Sequence, residues 1–193
     1  MSNTLTIEGV RQPPGDFAIW IFIMAELLVF AIFFAAYAMT RMSHVELFNE
    51  FQLQLNRRAA LANTLVLITS SYFVVRAVSA ISGGKARSCL RWLLAAMGMG
   101  GLFICIKSAE FAHHFALGVN LSTNLFYMFY LSLTFFHFMH VILGLVILGA
   151  VAYKTRQGHY SAMNHTGVET AAAYWHMVDL VWLILFPLVY VMR

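Results

Sequence analysis

Long apolar runs alternate along this chain with short polar interruptions. Five of the runs are about as long as a bilayer crossing requires, roughly 20 residues each. They cover residues 17–39, 60–82, 92–115, 125–152 and 171–192. The first is entered through Pro13, Pro14, Gly15 and Asp16, a stop-and-turn sequence before a helix. Arg57 and Arg58 precede the second, and Gly83 and Gly84 end it. Between the first two runs, "RMSHVELFNEFQLQLNRRA" has Val45, Leu47, Phe48, Phe51 and Leu55 as its apolar positions. It reads equally as a short interfacial helix and as a surface loop. The pattern predicts an all-α integral membrane protein, a five-transmembrane-helix bundle. Residues 17–193 form its single membrane domain and residues 1–16 an N-terminal tail, with no internal repeat.

Composition agrees with this reading. Of 193 residues, 61% are hydrophobic and only 10% charged. A soluble domain is nearer half apolar and about a quarter charged, so the excess must face lipid. The N-terminus "MSNTLTIEGVRQPPGD" is polar and lacks the basic and apolar blocks of a cleavable signal. Cys89 and Cys105 would stand roughly 24 Å apart on one helix, which excludes a disulfide. The net charge of +4 gives no nucleic-acid signal, because the basic residues cluster at helix ends. On the side of the N-terminus lie Arg11, Lys85, Arg87, Arg91, Lys154 and Arg156, with Arg76 snorkelling toward them. Arg41, Arg57, Arg58 and Arg193 lie opposite. The positive-inside bias then predicts a cytoplasmic N-terminus and a periplasmic C-terminus.

Candidate chemistry sits in the ionisable residues within the runs: Glu26, Lys107, Glu110, His137, His140, His176 and Asp179. Such groups are costly in a bilayer and face a protein interior or a cavity, with a partner. At about 1.5 Å rise per residue, Glu26 and Asp179 lie roughly 12–13 Å from the cytoplasmic end, and His140 about 18 Å. His137, Lys107 and Glu110 fall at roughly 22–27 Å. The depths predict an inner layer of Glu26, His140, His176 and Asp179, and an outer one of Lys107, Glu110 and His137. His137 and His140, His176 and Asp179, and Lys107 and Glu110 are i,i+3 pairs, each sharing a helix face.

Three readings of these residues stand side by side. The first is structural: polar contacts between helices worth about 0.6–2 kcal/mol each. The second is a metal or haem site made from the two histidines and two carboxylates of the inner layer. It lacks an HExxH signature and the Glu-x-x-His pairs of bundle metal sites. The third is proton handling by Glu26, a carboxyl with no basic residue in its own span, or simply a neutral carboxyl hydrogen-bonded to a neighbour. "MGMGG" (97–101) and "GLVILGA" (144–150) predict close approach between helices. Trp20, Trp92, Trp175 and Tyr190 read as an interfacial aromatic belt, whereas Trp182, in mid-span, reads as a packing residue.

"YWHMVDLVWLILFPLVYV" resembles the last helix of subunit III of the haem–copper respiratory oxidases, with its YWHFVDVVW-type signature. Other segments match in the same order. "FIMAELLVFAIFF" resembles the helix with a buried glutamate and places Glu26 there. "ANTLVLITSS" resembles the following helix, and "KSAEFAHHF" the LQASEYYEA-type segment, with Glu110 on its carboxylate. "FFHFMHVILGLVIL" resembles the GFHGLHVIIG pattern and places His137, His140 and Gly144. "GVETAAAYWH" puts Glu169 ahead of the final span. The resemblance runs from Pro14 onward and is to the short form of the family, lacking two N-terminal helices.

The resemblance implies a non-redox accessory subunit in a bacterial inner membrane, with no haem, metal or other cofactor of its own. Its partners would be a haem-bearing catalytic subunit and membrane lipids, including a phospholipid in a cleft between helix groups. It would support the partner's stability and proton uptake, with Glu26 as the carboxyl that hydrophobic carbodiimides modify. "PPGDFAIWIFIMAELLVF", "HVELFN" and "NRRAALANTLVLITSSYFVVRA" look most like the accessory subunit of bacterial nitric oxide reductases. Subunit III of an oxygen-reducing oxidase is the competing assignment. Arg76 replaces a frequent Trp, His113 and His114 replace the Tyr-Glu of EYYEA, and Phe135, Phe136, Phe138 and Met139 replace smaller residues around the two histidines. From a different class comes a small proton-coupled transporter or channel using Glu26, although no repeat supplies a symmetric binding site. An enzyme in its own right has no nucleophile–base pair or metal motif behind it. The partner face is expected on spans one and two.

Overall fold

Asp16 opens the first helix by accepting a hydrogen bond from the Ala18 N–H at 3.2 Å, and its own N–H donates to Thr170 Oγ1 at 3.1 Å. The computed structural model describes residues 16–192, so Arg193 and all but Asp16 of the predicted tail and entry turn lie outside the described residues. Six α-helices run in order: α1 (Phe17–Ser43), α2 (Val45–Leu53), α3 (Arg57–Ser82), α4 (Ala86–Ala116), α5 (Leu125–Arg156) and α6 (Thr166–Phe186). A π-helical turn, Pro187–Val191, extends α6. Pro187 lacks the N–H that would continue the ladder, and the Met192 N–H reaches back five residues to the Pro187 carbonyl at 2.9 Å. Among the described residues the one departure from helix with its own pairing is a bridge between Ser161 and Asn164.

The helix count is six rather than five. The additional element is α2, the amphipathic stretch after the first span, and its nine residues are too short to cross. Five helices remain long and apolar enough to span a membrane, with the last counted over Thr166–Val191. All five exceed their apolar runs at one end: α1 ends at Ser43, α3 starts at Arg57, α4 starts at Ala86, α5 ends at Arg156 and α6 starts at Thr166. Hydropathy marks the hydrocarbon, whereas the hydrogen-bond ladder continues through polar residues into the interface. Asn56 and Asn124 cap α3 and α5 by accepting from Ala59 N–H at 3.1 Å and Tyr127 N–H at 2.8 Å. Gly84 and Gly118 take positive φ (72° and 76°) just beyond α3 and α4, where a side chain would be strained.

The helices do not share the core equally. Over its most apolar eighteen residues α6 is 56% buried, and α1 only 11%. α6 is thus the central helix, packed against α1, α3 and α5, while α4 closes the bundle against α3 and α5. Ser70 Oγ donates to the Ala96 carbonyl at 2.8 Å across α3 and α4, and Trp182 Nε1 to Thr64 Oγ1 at 3.0 Å across α6 and α3. Trp182 packs as expected, with this bond added.

Trp175 corrects two expectations. It is 1% exposed, so it is no belt residue. Its indole fills a slot between two glycines of neighbouring helices. A β-carbon at Gly100 would stand 2.8 Å from its Cη2, and one at Gly144 2.8 Å from its Cε3. These glycines receive an aromatic ring rather than a neighbouring backbone. Cys89 and Cys105 are both free thiols, as their spacing required.

Candidate functional site: two buried polar clusters

Lys107 on α4 is fully enclosed, at 0% exposure. Its ammonium lies 3.2 Å from Glu110 Oε2, one helical step away, and donates to Tyr190 Oη at 2.7 Å and Tyr130 Oη at 3.4 Å. The two phenols in turn donate to Glu110 Oε1, at 2.6 Å from Tyr130 and 2.9 Å from Tyr190. Four rings surround the ammonium, those of Phe111, Tyr130, Trp182 and Tyr190, with centroids 5.1–5.6 Å away. One cation, one carboxylate and two phenols thus join α4, α5 and the π-turn. Tyr190 is fully buried here and holds no place in an interfacial belt. The π-turn carries it back into the bundle.

His137 shares this depth but not this network. Its Nε2 pairs with the Val178 carbonyl at 3.0 Å, so Nε2 bears the hydrogen. Its ring meets Trp182 at 5.1 Å and Phe103 at 5.7 Å. The indole of Trp182 thus stands beside both His137 and Lys107.

The predicted inner layer divides into two places. In the first, Glu26 Oε2 on α1 meets His140 Nε2 on α5 at 3.0 Å. His140 Nδ1 is committed to the Phe136 carbonyl at 2.8 Å and must donate there. A single proton therefore completes the Glu26–His140 bond, as carboxyl O–H to imidazole or as imidazolium N–H to carboxylate. Phe30 and Phe136 pack edge-on to the His140 ring, at 5.3 and 4.6 Å, which shields the pair from water. Glu26 keeps 20% of its side-chain surface open on the flank of the bundle.

In the second place, Asp179 on α6 is buried between Ser71 of α3 and His176. Among the described residues no hydrogen bond joins His176 and Asp179 to Glu26 and His140. The four-residue metal shell therefore does not assemble, and no three His, Cys, Asp or Glu side chains of the described residues gather around one point. Glu169 lies in the first turn of α6 beside His165, Oε1 to Nε2 at 3.4 Å, and His165 Nε2 also meets Ser82 Oγ at 3.3 Å.

Cavities lie beside these groups. A groove of about 590 Å3 runs between α1, α3 and α6, past Trp20, Leu27, Val78, Ala173 and His176. An apolar pocket of the same size lies under the α4–α5 connection, between Phe111, Phe115 and Phe135. A polar cleft of about 400 Å3 opens over Glu110, beside Gln54, His113 and His114.

Sequence reasoning missed Tyr130 and Tyr190 as partners of the Lys107–Glu110 pair. A signal existed in part: Tyr190 lies three residues after Pro187, and a proline in the last turn redirects the backbone beyond it. Tyr130 carried no mark that set it apart from other tyrosines.

A sequence profile described as cytochrome c oxidase subunit III matches residues 9–193. Cytochrome c oxidase subunit 3 of Thermostichus vulcanus is 36% identical over 194 residues, covering 98% of this chain and 94% of that protein. The subunit 3 of Synechocystis is 35% identical over 177 residues, covering 91% and 75%. Subunit 3 of the cytochrome bo(3) ubiquinol oxidase of Buchnera aphidicola is 23% identical over 189 residues, covering 98% and 92%. These relatives bear the names of oxidase subunits, so the finer resemblance to a nitric oxide reductase chain gains no support from them.

Proposed function

The chain belongs to the cytochrome c oxidase subunit III family, and we propose that it serves as the non-redox third subunit of a haem–copper terminal oxidase. In this reading it docks to a haem-bearing catalytic subunit in a bacterial inner membrane and supports that subunit's stability and proton uptake. The observation that carries the role is the Glu26–His140 bond. It places one shared proton on the least buried flank of the bundle, within reach of a partner, and ties α1 to α5 across the membrane interior. The remaining clusters are structural: Lys107, Glu110, Tyr130 and Tyr190 fasten the C-terminal half, His137 holds α5 and α6 in register, and Asp179 faces Ser71 between α6 and α3. The chain supplies no redox group of its own, phospholipid fills grooves between its helices, and its N-terminus is cytoplasmic.

A second reading is the accessory chain of a nitric oxide reductase, favoured by "PPGDFAIWIFIMAELLVF", "HVELFN" and "NRRAALANTLVLITSSYFVVRA". A tagged chain extracted from native membrane in mild detergent separates the two. The visible spectrum and mass spectrometry of the proteins that accompany it would show an oxygen-reducing catalytic subunit in the first case and a nitric oxide reductase large subunit in the second. A colourless chain arriving alone would sink both. The transporter or channel reading has no support in the named relatives.

A further inference from the structure

Leu61, Leu65, Ile68, Tyr72 and Val75 follow one another at three- and four-residue spacing along α3, and all are exposed. Arg76 stands in this outward-facing apolar stripe, six residues before the end of α3 and roughly 9 Å inside the interface by helical rise. A charge at that depth is costly unless it is paired or its long side chain extends to the headgroups. Arg76 does not extend that way, contrary to the snorkelling expected from its place in the sequence. Its guanidinium turns back one helical turn and donates to Tyr72 Oη at 3.1 Å. It also lies 5.2 Å over the ring of Trp92, which stands six residues after the start of α4 and so at the same depth. Tyr72 and Trp92 thus hold the cation within the apolar layer. No carboxylate among the described residues comes within ion-pair distance of it.

Beside the guanidinium lies a pocket of about 280 Å3, lined also by Ser79, Ala80, Gly83, Ser88 and Lys85. The first four are small, and small residues let a neighbouring membrane helix approach closely. Two cations and no acid line the pocket, so the partner it lacks is anionic. We propose that this face of α3 and α4 receives a transmembrane helix of another protein chain, which sets an aspartate or glutamate against Arg76. The planar guanidinium fork matches a carboxylate, and the apolar surroundings strengthen the pair. A lipid headgroup would bring the same charge more than a turn farther out, where Lys85, beyond the end of α3, is the nearer cation. The face is separate from the flank of Glu26. Glu26 ties α1 to α5, Arg76 lies against α4, and the groove past Leu27 and Val78 runs between α1 and α3.

The test uses the tagged full chain in native membrane, with photoreactive benzoylphenylalanine in place of Ser79, an exposed position in the same pocket. Irradiation and peptide mass spectrometry are expected to map a cross-link to a membrane helix with an aspartate or glutamate within one turn of the linked residue. Arg76→Gln lowers that cross-link about fivefold, and Arg76→Glu removes it. Arg76→Lys, which keeps the charge, retains most of it, each yield being normalised to the chain present in the membrane. Exchanging the charges, Arg76→Glu together with arginine at the mapped carboxylate, restores it. Cross-linking to lipid alone, a linked helix without a carboxylate, an unchanged yield in Arg76→Gln, or a charge exchange that restores nothing overturns the proposal. The result is separable from the identity of the catalytic subunit. A chain that purifies without haem still supports the proposal if the charge exchange restores its cross-link to an acidic helix.

Discussion

The ammonium of Lys107 reaches no solvent, so Glu110 is its whole electrostatic compensation, and the two phenols complete the set of bonds. Removing one member of a buried pair leaves an uncompensated charge and costs about 3–5 kcal/mol. Lys107→Met should therefore lower stability by that order, whereas the double change Lys107→Met/Glu110→Gln should lose much less. Thermal unfolding in detergent, followed by tryptophan fluorescence, measures both. Equal losses in the single and double variants would show that the pair does not fasten the bundle. At the other cluster, Glu26 makes one bond to a single partner and stays partly open to the apolar flank, while Glu110 is engaged by three donors. A hydrophobic carbodiimide should thus label Glu26 and spare Glu110, as read by mass spectrometry of peptides. Labelling of Glu110 with Glu26 untouched would reverse the assignment.

Between α4, α5 and α6 the decisive contact is a slot one indole thick. Gly100 and Gly144 leave room for Trp175, with Leu145 Cδ2 beside it over Gly100, since a β-carbon at either glycine would stand 2.8 Å from the ring. Overpacking of this kind costs about 1–3 kcal/mol. Gly144→Ala should destabilise the bundle by that order, while Gly149→Ala, whose β-carbon would lie 3.4 Å from the flexible Met97 methyl, should change little. Combining Gly144→Ala with Trp175→Phe should recover part of the loss, because a smaller ring vacates the site. Melting temperatures of the four variants in one detergent decide it; a strictly additive pair would refute the slot. The sequence showed small residues at these positions but not what would fill the space. Trp175 lies four residues inside the apolar run that begins at 171, which read as an interfacial position. With α6 starting at Thr166 it is almost three turns into the helix. The same boundary effect separated Tyr190 from its true place, since nothing in hydropathy reveals the π-turn that returns it to the bundle.

Taken as one molecule, the protein was most legible where a single physical variable decides the outcome. Bilayer thickness selects runs of about 20 apolar residues, and all five spans emerge from that alone. The polar sites were half legible. Depth along each helix was enough to group Lys107 with Glu110 and Glu26 with His140, but rotation about each helix axis decides who meets whom, and one sequence does not give it. His137 and His176 share the depth of their predicted layers and face elsewhere. Charge at the helix ends is the single variable from which the orientation is expected. Lys85, Arg87 and Arg91 at the start of α4, and Lys154 and Arg156 at the end of α5, lie on the side of the α1 N-terminus; Arg41, Arg57 and Arg58 lie on the other. On the opposite side Arg41 is tied to Asn49 Oδ1 at 3.1 Å, within the short α2 segment. A phosphatase reporter active only after export should accordingly be active when fused to the C-terminus and silent in the α3–α4 turn. Neutralising Lys85, Arg87 and Arg91 together should weaken that preference, because loop charges near span ends set orientation. A reporter active in the α3–α4 turn of the native sequence would invert the topology. It would also move the Arg76–Lys85 pocket to the outer leaflet.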